Sequence, residues 1–257
     1  MIVMSSPAWT SRDLAADPHQ VTDKAKRVER MFAAIAPSYD LNNRLHSLWR
    51  DQVWRRAAVK AANLDGQEVV LDVACGTGDL SMAFAGGGAR RVAGIDFTFD
   101  MLKLARRKAL EGGAPRPTYH TGDAMRLPVG DESVDVVSIA FGIRNVADPL
   151  MAIRQFHRVL RPAGRLVILE FALPANRLLR SLYSFYFTRI MPLTASWIAR
   201  DRSGAYRYLP RSVNTFMDRE AILGAMADAG FVRTTVQSLT CGIAVIYCGV
   251  KGEPPQS

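Results

Sequence analysis

The run Val69-Val70-Leu71-Asp72-Val73-Ala74-Cys75-Gly76-Thr77-Gly78-Asp79-Leu80-Ser81 constrains this chain more than any other stretch. It begins as a short apolar strand. It then reaches a Gly76-Thr77-Gly78 turn, after which Leu80, Ala83 and Phe84 resume at helical spacing. Glycine lets a backbone turn sharply and approach a ligand with no Cβ in the way. The helix start adds unpaired N–H groups beside that ligand. A strand, a glycine turn and a helix N-terminus together point to a nucleotide-like ligand at the end of a sheet.

The rest of the chain keeps this rhythm. Arg91–Asp96 reads as a second strand ending in an acid, and Met101–Leu110 as a basic helix. Thr118–His120, Val134–Ile139 and Arg165–Glu170 read as further strands. A helix after Pro149 carries Leu150, Ile153, Phe156 and Val159 on one face. Strands alternating with helices predict an α/β fold, a parallel sheet with helices on both faces. Upstream, Val28, Met31, Phe32 and Ile35 set a helix over Lys24–Ile35 that Pro37 ends. A polar, aromatic stretch, Tyr39–Ser47, leads into a second helix from about Trp49 to Ala62. Residues 1–22 are rich in Ser, Pro, Asp and Ala without a period and predict a mobile tail. The remainder, 23–257, reads as one domain. Within it residues 176–210 break the rhythm with Leu178, Leu179, Tyr183, Phe185, Tyr186, Phe187, Ile190 and Trp197 among Arg177, Arg180, Arg189 and Arg200. This reads as an inserted helical cap. A helix over Asp218–Ala229 and strands opening at Phe231 and Ala244 complete the pattern.

Composition narrows the setting. The chain has 257 residues and a formal charge of +9, which favours anionic partners. Cys75, Cys241 and Cys248 have no metal-ligand spacing and read as reduced thiols of a cytoplasmic protein. The apolar start, Met1-Ile2-Val3-Met4, is too short for a secretion signal, and no uncharged apolar run reaches the ~18 residues of a membrane span. His46, His120 and His157 do not converge, so no metal is expected.

The cofactor can be argued from acids. Asp96 closes the second strand, where a carboxylate accepts from ribose hydroxyls. Asp72 and Asp79 flank the turn, where they would repel a dinucleotide pyrophosphate and attract a sulfonium and an α-amino group. Gly122-Asp123-Ala124 follows the third strand, where a carboxylate can accept from an adenine amino group. Ser81 stands where a dinucleotide fingerprint would have its third glycine. These features favour S-adenosylmethionine over NAD. Cys75 reads as a small residue packed under the turn.

Leu71-Asp72-Val73-Ala74-Cys75-Gly76-Thr77-Gly78 resembles motif I of class I S-adenosylmethionine-dependent methyltransferases. More specifically, the chain resembles the UbiE/MenG/Coq5 family of menaquinone and ubiquinone biosynthesis C-methyltransferases. The resemblance is carried by Tyr39-Asp40 with Asn43, Ser47 and Trp54-Arg55, and by Phe141-Gly142-Ile143-Arg144-Asn145-Val146. Arg158–Pro162, Leu169-Glu170-Phe171 and Tyr206-Arg207-Tyr208-Leu209-Pro210 extend it. It implies a Rossmann-like, mostly parallel seven-stranded sheet whose last strand is antiparallel, with helical N-terminal and inserted cap elements. It implies cofactor contacts from Asp72, Gly76, Thr77, Gly78, Asp96, Asp123, Ala124 and Ala140. The family often has Ser where this chain has Ala140, leaving backbone contact there. Trp49 stands where it usually has Gly, Asn42 where it has Met or Leu, and Ala163 and Ala172 where it has Gly and Ser.

The implied reaction is methylation of a ring carbon on a prenylated quinol, with demethylmenaquinol preferred over the methoxy-polyprenyl-benzoquinol of the ubiquinone branch. Alignment is the main catalytic tool, able to supply roughly 7–11 kcal/mol. Arg144 stays protonated, so it is expected to stabilise a quinolate or polarise a water that takes the proton. Asn145 is expected to hold a quinol oxygen and Tyr39 and Asp40 to close the pocket. Asp40 or His46 is a candidate proton acceptor. The aromatic, arginine-studded stretch 178–197 can lie on the anionic inner face of the cytoplasmic membrane, cap the sheet, or join two copies as a homodimer. Two other readings compete: an RNA methyltransferase, against which the dispersed basic residues count so that no nucleic acid is expected, and a non-catalytic S-adenosylmethionine-binding subunit.

Overall fold

The structure is a computed structural model that describes residues 7–113, 115–199, 201 and 203–252. Residues 1–6 of the expected tail, Arg200 and residues 253–257 lie outside the described residues. Among the described residues seven strands form: β1 (Val69–Val73), β2 (Arg91–Asp96), β3 (Thr118–Thr121), β4 (Val134–Ala140), β5 (Leu160–Phe171), β6 (Phe231–Leu239) and β7 (Ala244–Lys251). They make one sheet in the order β3-β2-β1-β4-β5-β7-β6. Strands β1 to β5 are parallel, and β7 runs antiparallel between β5 and β6. The architecture is the expected seven-stranded one, with the antiparallel last strand inside the sheet rather than at its edge.

Ten α-helices surround the sheet among the described residues: α1 (Lys24–Ile35), α2 (Tyr39–Ser47), α3 (Arg50–Ala61), α4 (Asp79–Gly86), α5 (Phe99–Glu111), α6 (Pro149–Val159), α7 (Arg177–Phe185), α8 (Met191–Ala199), α9 (Ala205–Thr215) and α10 (Arg219–Asp228). Successive strand residues point to opposite faces, so the central strands are apolar on both. One face packs Leu71, Val73, Ile139 and Ile168 against Ile153 and Phe156 of α6 and Met226 of α10. The other packs Val70, Val136, Val167 and Leu169 against Trp54 and Ala58 of α3 and Leu80 and Phe84 of α4. Burying each such Leu, Ile or Phe contributes about 1.5–3 kcal/mol. A third cluster joins Met31 and Ile35 of α1 to Phe187, Met191 and Tyr208 of the insert. The N-terminal helices and the insert thus share a core of their own, next to Met101 and Phe171 at the carboxyl side of the sheet.

Three local differences from the sequence reading have physical causes. Tyr39–Ser47 is helical although it lacks an apolar period, because its inward residues face cavities instead of a packed core. Residues 7–22, read as mobile, pack onto the insert. Trp9 is 0% exposed, stacks on Tyr208 at 4.7 Å and donates its backbone N–H to Ser203 O at 3.0 Å. β5 begins at Leu160, earlier than expected, because an irregularity in its pairing with β4 absorbs residues 161–164. Trp49 and Ala163, two positions where the resembled family usually has glycine, have φ of +59° and +60°. Each left-handed non-glycine residue costs roughly 1–2 kcal/mol.

Candidate active site

A cavity of about 100 Å³ opens at the carboxyl edge of β1, β2 and β4, the edge where open α/β sheets hold ligands. Gly76, Asp96, Asp123, Ala124 and Ala140 of the expected cofactor set line it. Gly76 has φ +56°, and a Cβ built there would meet no atom within 4 Å, so the backbone faces open space. Asp96 is held by two backbone donors, Gly76 N and Thr98 N, each at 2.7 Å. Those bonds fix the carboxylate while leaving each oxygen a further lone pair.

Asp72, Thr77 and Gly78 are not in this wall. Asp72 is buried inside β1, where it accepts from Ser81 Oγ at 2.6 Å and Ser138 Oγ at 2.9 Å. Burial pushes its carboxyl up to about 6, against the pull of those hydroxyls. Its place in the strand, not beyond it, keeps it out of the cavity lining. Thr77 donates to Asp40 Oδ1 at 2.5 Å. Gly78, at φ +81°, is required because a Cβ would collide with the Tyr119 hydroxyl. Cys75 is half-buried beside Asp96 and Asp72, and burial first, then those carboxylates, pushes its thiol well up.

A second cavity of about 520 Å³ lies beside the first. Phe32, Tyr39 and Phe141 line both. The larger one is walled by Trp54, Phe171, Tyr183, Tyr186, Phe187 and Tyr208, with Arg55 and Arg144 as its buried cations. Tyr186 and Phe187 come from a widened π-helical stretch, Tyr186–Ile190, between α7 and α8.

Arg144 and Asn145 sit on a single helical turn, Ile143–Asn145, directly after β4. Arg144 Nη1 donates to Glu170 Oε1 and to Phe141 O, both at 2.6 Å. Glu170 is buried at the end of β5, and its burial raises its carboxyl above the usual range although Arg144 pulls it down. The Nε atoms of Arg144 and Arg55 are buried with no hydrogen-bond partner among the described residues. Each guanidinium also stacks on the cavity wall, Arg144 at 5.3 Å from the Phe171 ring and Arg55 at 5.4 Å from Phe141. Asn145 lines the smaller cavity, donates to Phe141 O at 3.1 Å and accepts from the Tyr208 hydroxyl at 3.0 Å. Burial raises the Tyr39 phenol, which keeps it protonated.

The other expected catalytic groups stand differently. Asp40 lines neither cavity. It accepts from Thr77 and, at 2.8 Å, from Lys108, which also pairs with Asp79. Asp79 in turn faces Arg44 at 3.4 Å and Arg55 at 3.9 Å. His46 reaches the larger cavity, but its Nδ1 faces Asn42 O and its Nε2 faces Thr194 Oγ1, both at 2.9 Å. A nitrogen facing a carbonyl must carry a proton, so Nδ1 donates to Asn42 O. Among the described residues no three or more His, Cys, Asp or Glu side chains gather as a metal site.

Four residues of this site were not singled out from the sequence. Arg55 and Glu170 were quoted only within longer blocks. A lone carboxylate closing an apolar strand was the available signal for Glu170. Lys108 gave no signal. Lys24 is 1% exposed, and its ammonium donates to Arg144 O at 2.9 Å and Val146 O at 2.6 Å, facing His19 Nδ1 at 3.1 Å. It straps α1 to the turn that carries Arg144 and Asn145.

The model of the ubiE/COQ5 methyltransferase family matches residues 20–251. The chain belongs to that family. Among its relatives, the ubiquinone/menaquinone biosynthesis C-methyltransferase UbiE of Citrifermentans bemidjiense is 42% identical over 91% of this chain and 100% of its own length. The demethylmenaquinone methyltransferase of Deinococcus radiodurans is 43% identical over 89% of this chain and 94% of its own. Solved folds agree: a methyltransferase from Thermotoga maritima superposes with a TM-score of 0.62 at 19% identity, covering 87% of this chain and 99% of its own. For this family member the methyl donor is S-adenosylmethionine, and the smaller cavity suits it. Gly76 leaves room for close approach, Asp96 offers oriented lone pairs, and Asp123 stands at the same edge.

Proposed function

We propose that this methyltransferase places the methyl group on a ring carbon of a prenylated quinol, converting demethylmenaquinol to menaquinol. One observation carries the reading: the donor cavity and a larger aromatic cavity share Phe32, Tyr39 and Phe141, and two buried guanidinium groups, Arg55 and Arg144, line the larger one. An apolar chamber suits a flat, uncharged quinol. Buried guanidinium groups suit the negative oxygen that forms when the quinol loses its hydroxyl proton.

S-adenosylmethionine supplies an electrophilic methyl group on a sulfonium. The protein's part is alignment and charge. Ionising the quinol hydroxyl sends electron density to the neighbouring ring carbon, the atom to be methylated. Arg144 and Arg55 face the cavity as permanent donors and hold that oxygen anionic. The Arg144–Glu170 pair lowers the net charge of the pocket, so a neutral quinol can enter before it ionises. Tyr39, protonated and set at the junction of the cavities, donates toward the acceptor or packs its ring beneath it. Arg144 stabilises the quinolate, and the proton passes through water to solvent, since Asp40 faces Thr77 and Lys108 and His46 is occupied by Asn42 and Thr194.

Both relatives named above concern quinone methylation, and one is named for demethylmenaquinone alone. Turnover of isotopically labelled methyl donor with each of the two quinols decides the branch. Methylation of the benzoquinol only would reverse the preference stated here, and methylation of neither would return a silent cofactor-binding subunit to consideration.

The reading also includes a peripheral place on a membrane, where a prenylated acceptor resides. Among the described residues no helix is long and apolar enough to cross a membrane. Residues 171–200 contain no Asp or Glu, while Leu178, Leu182, Phe185, Leu193 and Trp197 are exposed. Such a surface suits an anionic lipid face.

A further inference from the structure

The larger cavity reaches the protein surface at an identifiable place. Of the residues that line it, Leu48, Arg50 and Thr240 are the exposed ones. Leu48 and Trp49 form the turn between α2 and α3, and both have left-handed backbones, φ +52° and +59°. Their side chains point away from the core: Leu48 is 82% exposed and Trp49 55%. A bulky apolar pair in a strained conformation, displayed to solvent, gains nothing from the fold itself. Strain of this kind gathers at functional sites.

The turn is tied to the insert. His46 Nε2 meets Thr194 Oγ1 of α8 at 2.9 Å, and the Tyr186 hydroxyl donates to His46 O at 3.4 Å. Leu193 and Trp197, the latter 83% exposed, lie on that same α8. The turn and the insert are also basic. Arg50 adjoins Trp49, and Arg177, Arg180 and Arg189 are exposed on the insert. None of the four forms an ion pair among the described residues.

We infer that the Leu48–Trp49 turn is a lip that inserts into an anionic lipid bilayer at the mouth of the larger cavity, so that the isoprenoid tail of the acceptor stays in lipid while its ring enters. The lip places apolar side chains below the headgroups, and the unpaired arginines meet lipid phosphates at headgroup level. The inference rests on the quinol reading for its cargo, while the bilayer contact itself stands on the surface alone.

The test uses the full chain, Trp49→Gly and Trp49→Asp. Glycine suits the left-handed backbone at this position, so Trp49→Gly keeps the fold and removes only the side chain. The probe is vesicles of phosphatidylglycerol and phosphatidylcholine carrying brominated acyl chains, which quench inserted tryptophan. The chain has four tryptophans, so the Trp49 signal is the wild-type emission less that of Trp49→Gly. The expected results are quenching of that difference signal and a loss of about tenfold in vesicle affinity for both variants. Turnover of a long-tailed quinol embedded in the vesicles falls in parallel, while a short-tailed, water-soluble quinol is turned over within about twofold of wild type. An unquenched Trp49, an equal loss on both quinols, or a wild-type dimer that Trp49→Gly dissociates would overturn the lip. If the wild type methylates neither quinol while Trp49 is still quenched, the quinol reading fails and the bilayer contact stands.

Discussion

Arg144 donates to Glu170 at 2.6 Å, and both side chains are buried between the end of β4 and the end of β5. The pair makes Arg144 a shared resource. One nitrogen, Nη1, holds both Glu170 and the Phe141 carbonyl, and Arg144 lines the larger cavity. The arginine is thus held in one orientation at the wall of the larger cavity.

Removing one partner should therefore do two things. Arg144→Ala leaves the Glu170 carboxylate buried and unpaired, at a cost of about 3–5 kcal/mol. Thermal unfolding should show the drop, and the double variant Arg144→Ala with Glu170→Ala should recover much of it. Turnover should not recover in the double variant, because the guanidinium is still missing. Recovery of both would reduce Arg144 to a support for its turn.

Lys24 gives the account a pH dependence. Burial lowers its ammonium from 10.5 to about 8, with Asp17 pulling it up and Arg144 pushing it down. The surrounding titratable groups are His19 on the preceding segment, Asp17, and Arg144 on the turn it straps. Below about pH 8 the ammonium clamps Arg144 O and Val146 O. Above it the amine has one donor fewer and the strap slackens, so kcat/KM should fall along an alkaline limb. The stability sign is opposite. The unfolded chain binds the proton up to about 10.5 and the folded chain only to about 8, so this group's contribution to stability rises with pH across that window. Lys24→Arg stays charged and should remove the limb in a pH–rate profile.

Much of this was legible in residue order. The glycine turn, the acid at Asp96 and the strand rhythm locate the smaller cavity, because sheet topology puts every such loop at one edge. The acceptor side was less legible. Tyr39 and Arg144 reach the larger cavity, but Glu170, Arg55 and Lys24 matter through partners 24 to 120 positions away in sequence, which no local pattern records. Asp72 shows partners that its position did not announce: its carboxylate accepts from Ser81 and Ser138. The packed Trp9 was hidden by a composition typical of loose chain.

Lys108 holds Asp40 of α2 and Asp79 of α4 together. Lys108→Met removes a cation shared by two carboxylates and should loosen α2 over the donor cavity. Dissociation of S-adenosylmethionine should speed by about tenfold, a loss near 1.4 kcal/mol. Calorimetry and stopped-flow release measure it, and an unchanged release rate would show that α2 stays shut without the pair.

Tyr39 stands where the two cavities meet. Tyr39→Phe keeps the ring and deletes the hydroxyl, so donor binding should stay within about twofold while kcat falls by about 10² if the hydroxyl serves the transition state. A steady-state comparison of kcat with the donor's KM reads the two apart. Full kcat in Tyr39→Phe would assign the residue to packing.

The account's central claim is that the two adjoining cavities bring a methyl donor to a ring carbon of a quinol. Its most direct measurement is turnover of purified protein with S-adenosylmethionine labelled at the methyl carbon and reduced demethylmenaquinone, followed by mass and carbon NMR of the product. The account predicts one labelled methyl group bonded to ring carbon, with demethylated donor formed in equal amount. Label on a quinol oxygen, or donor bound without any transfer to the quinol, would contradict it.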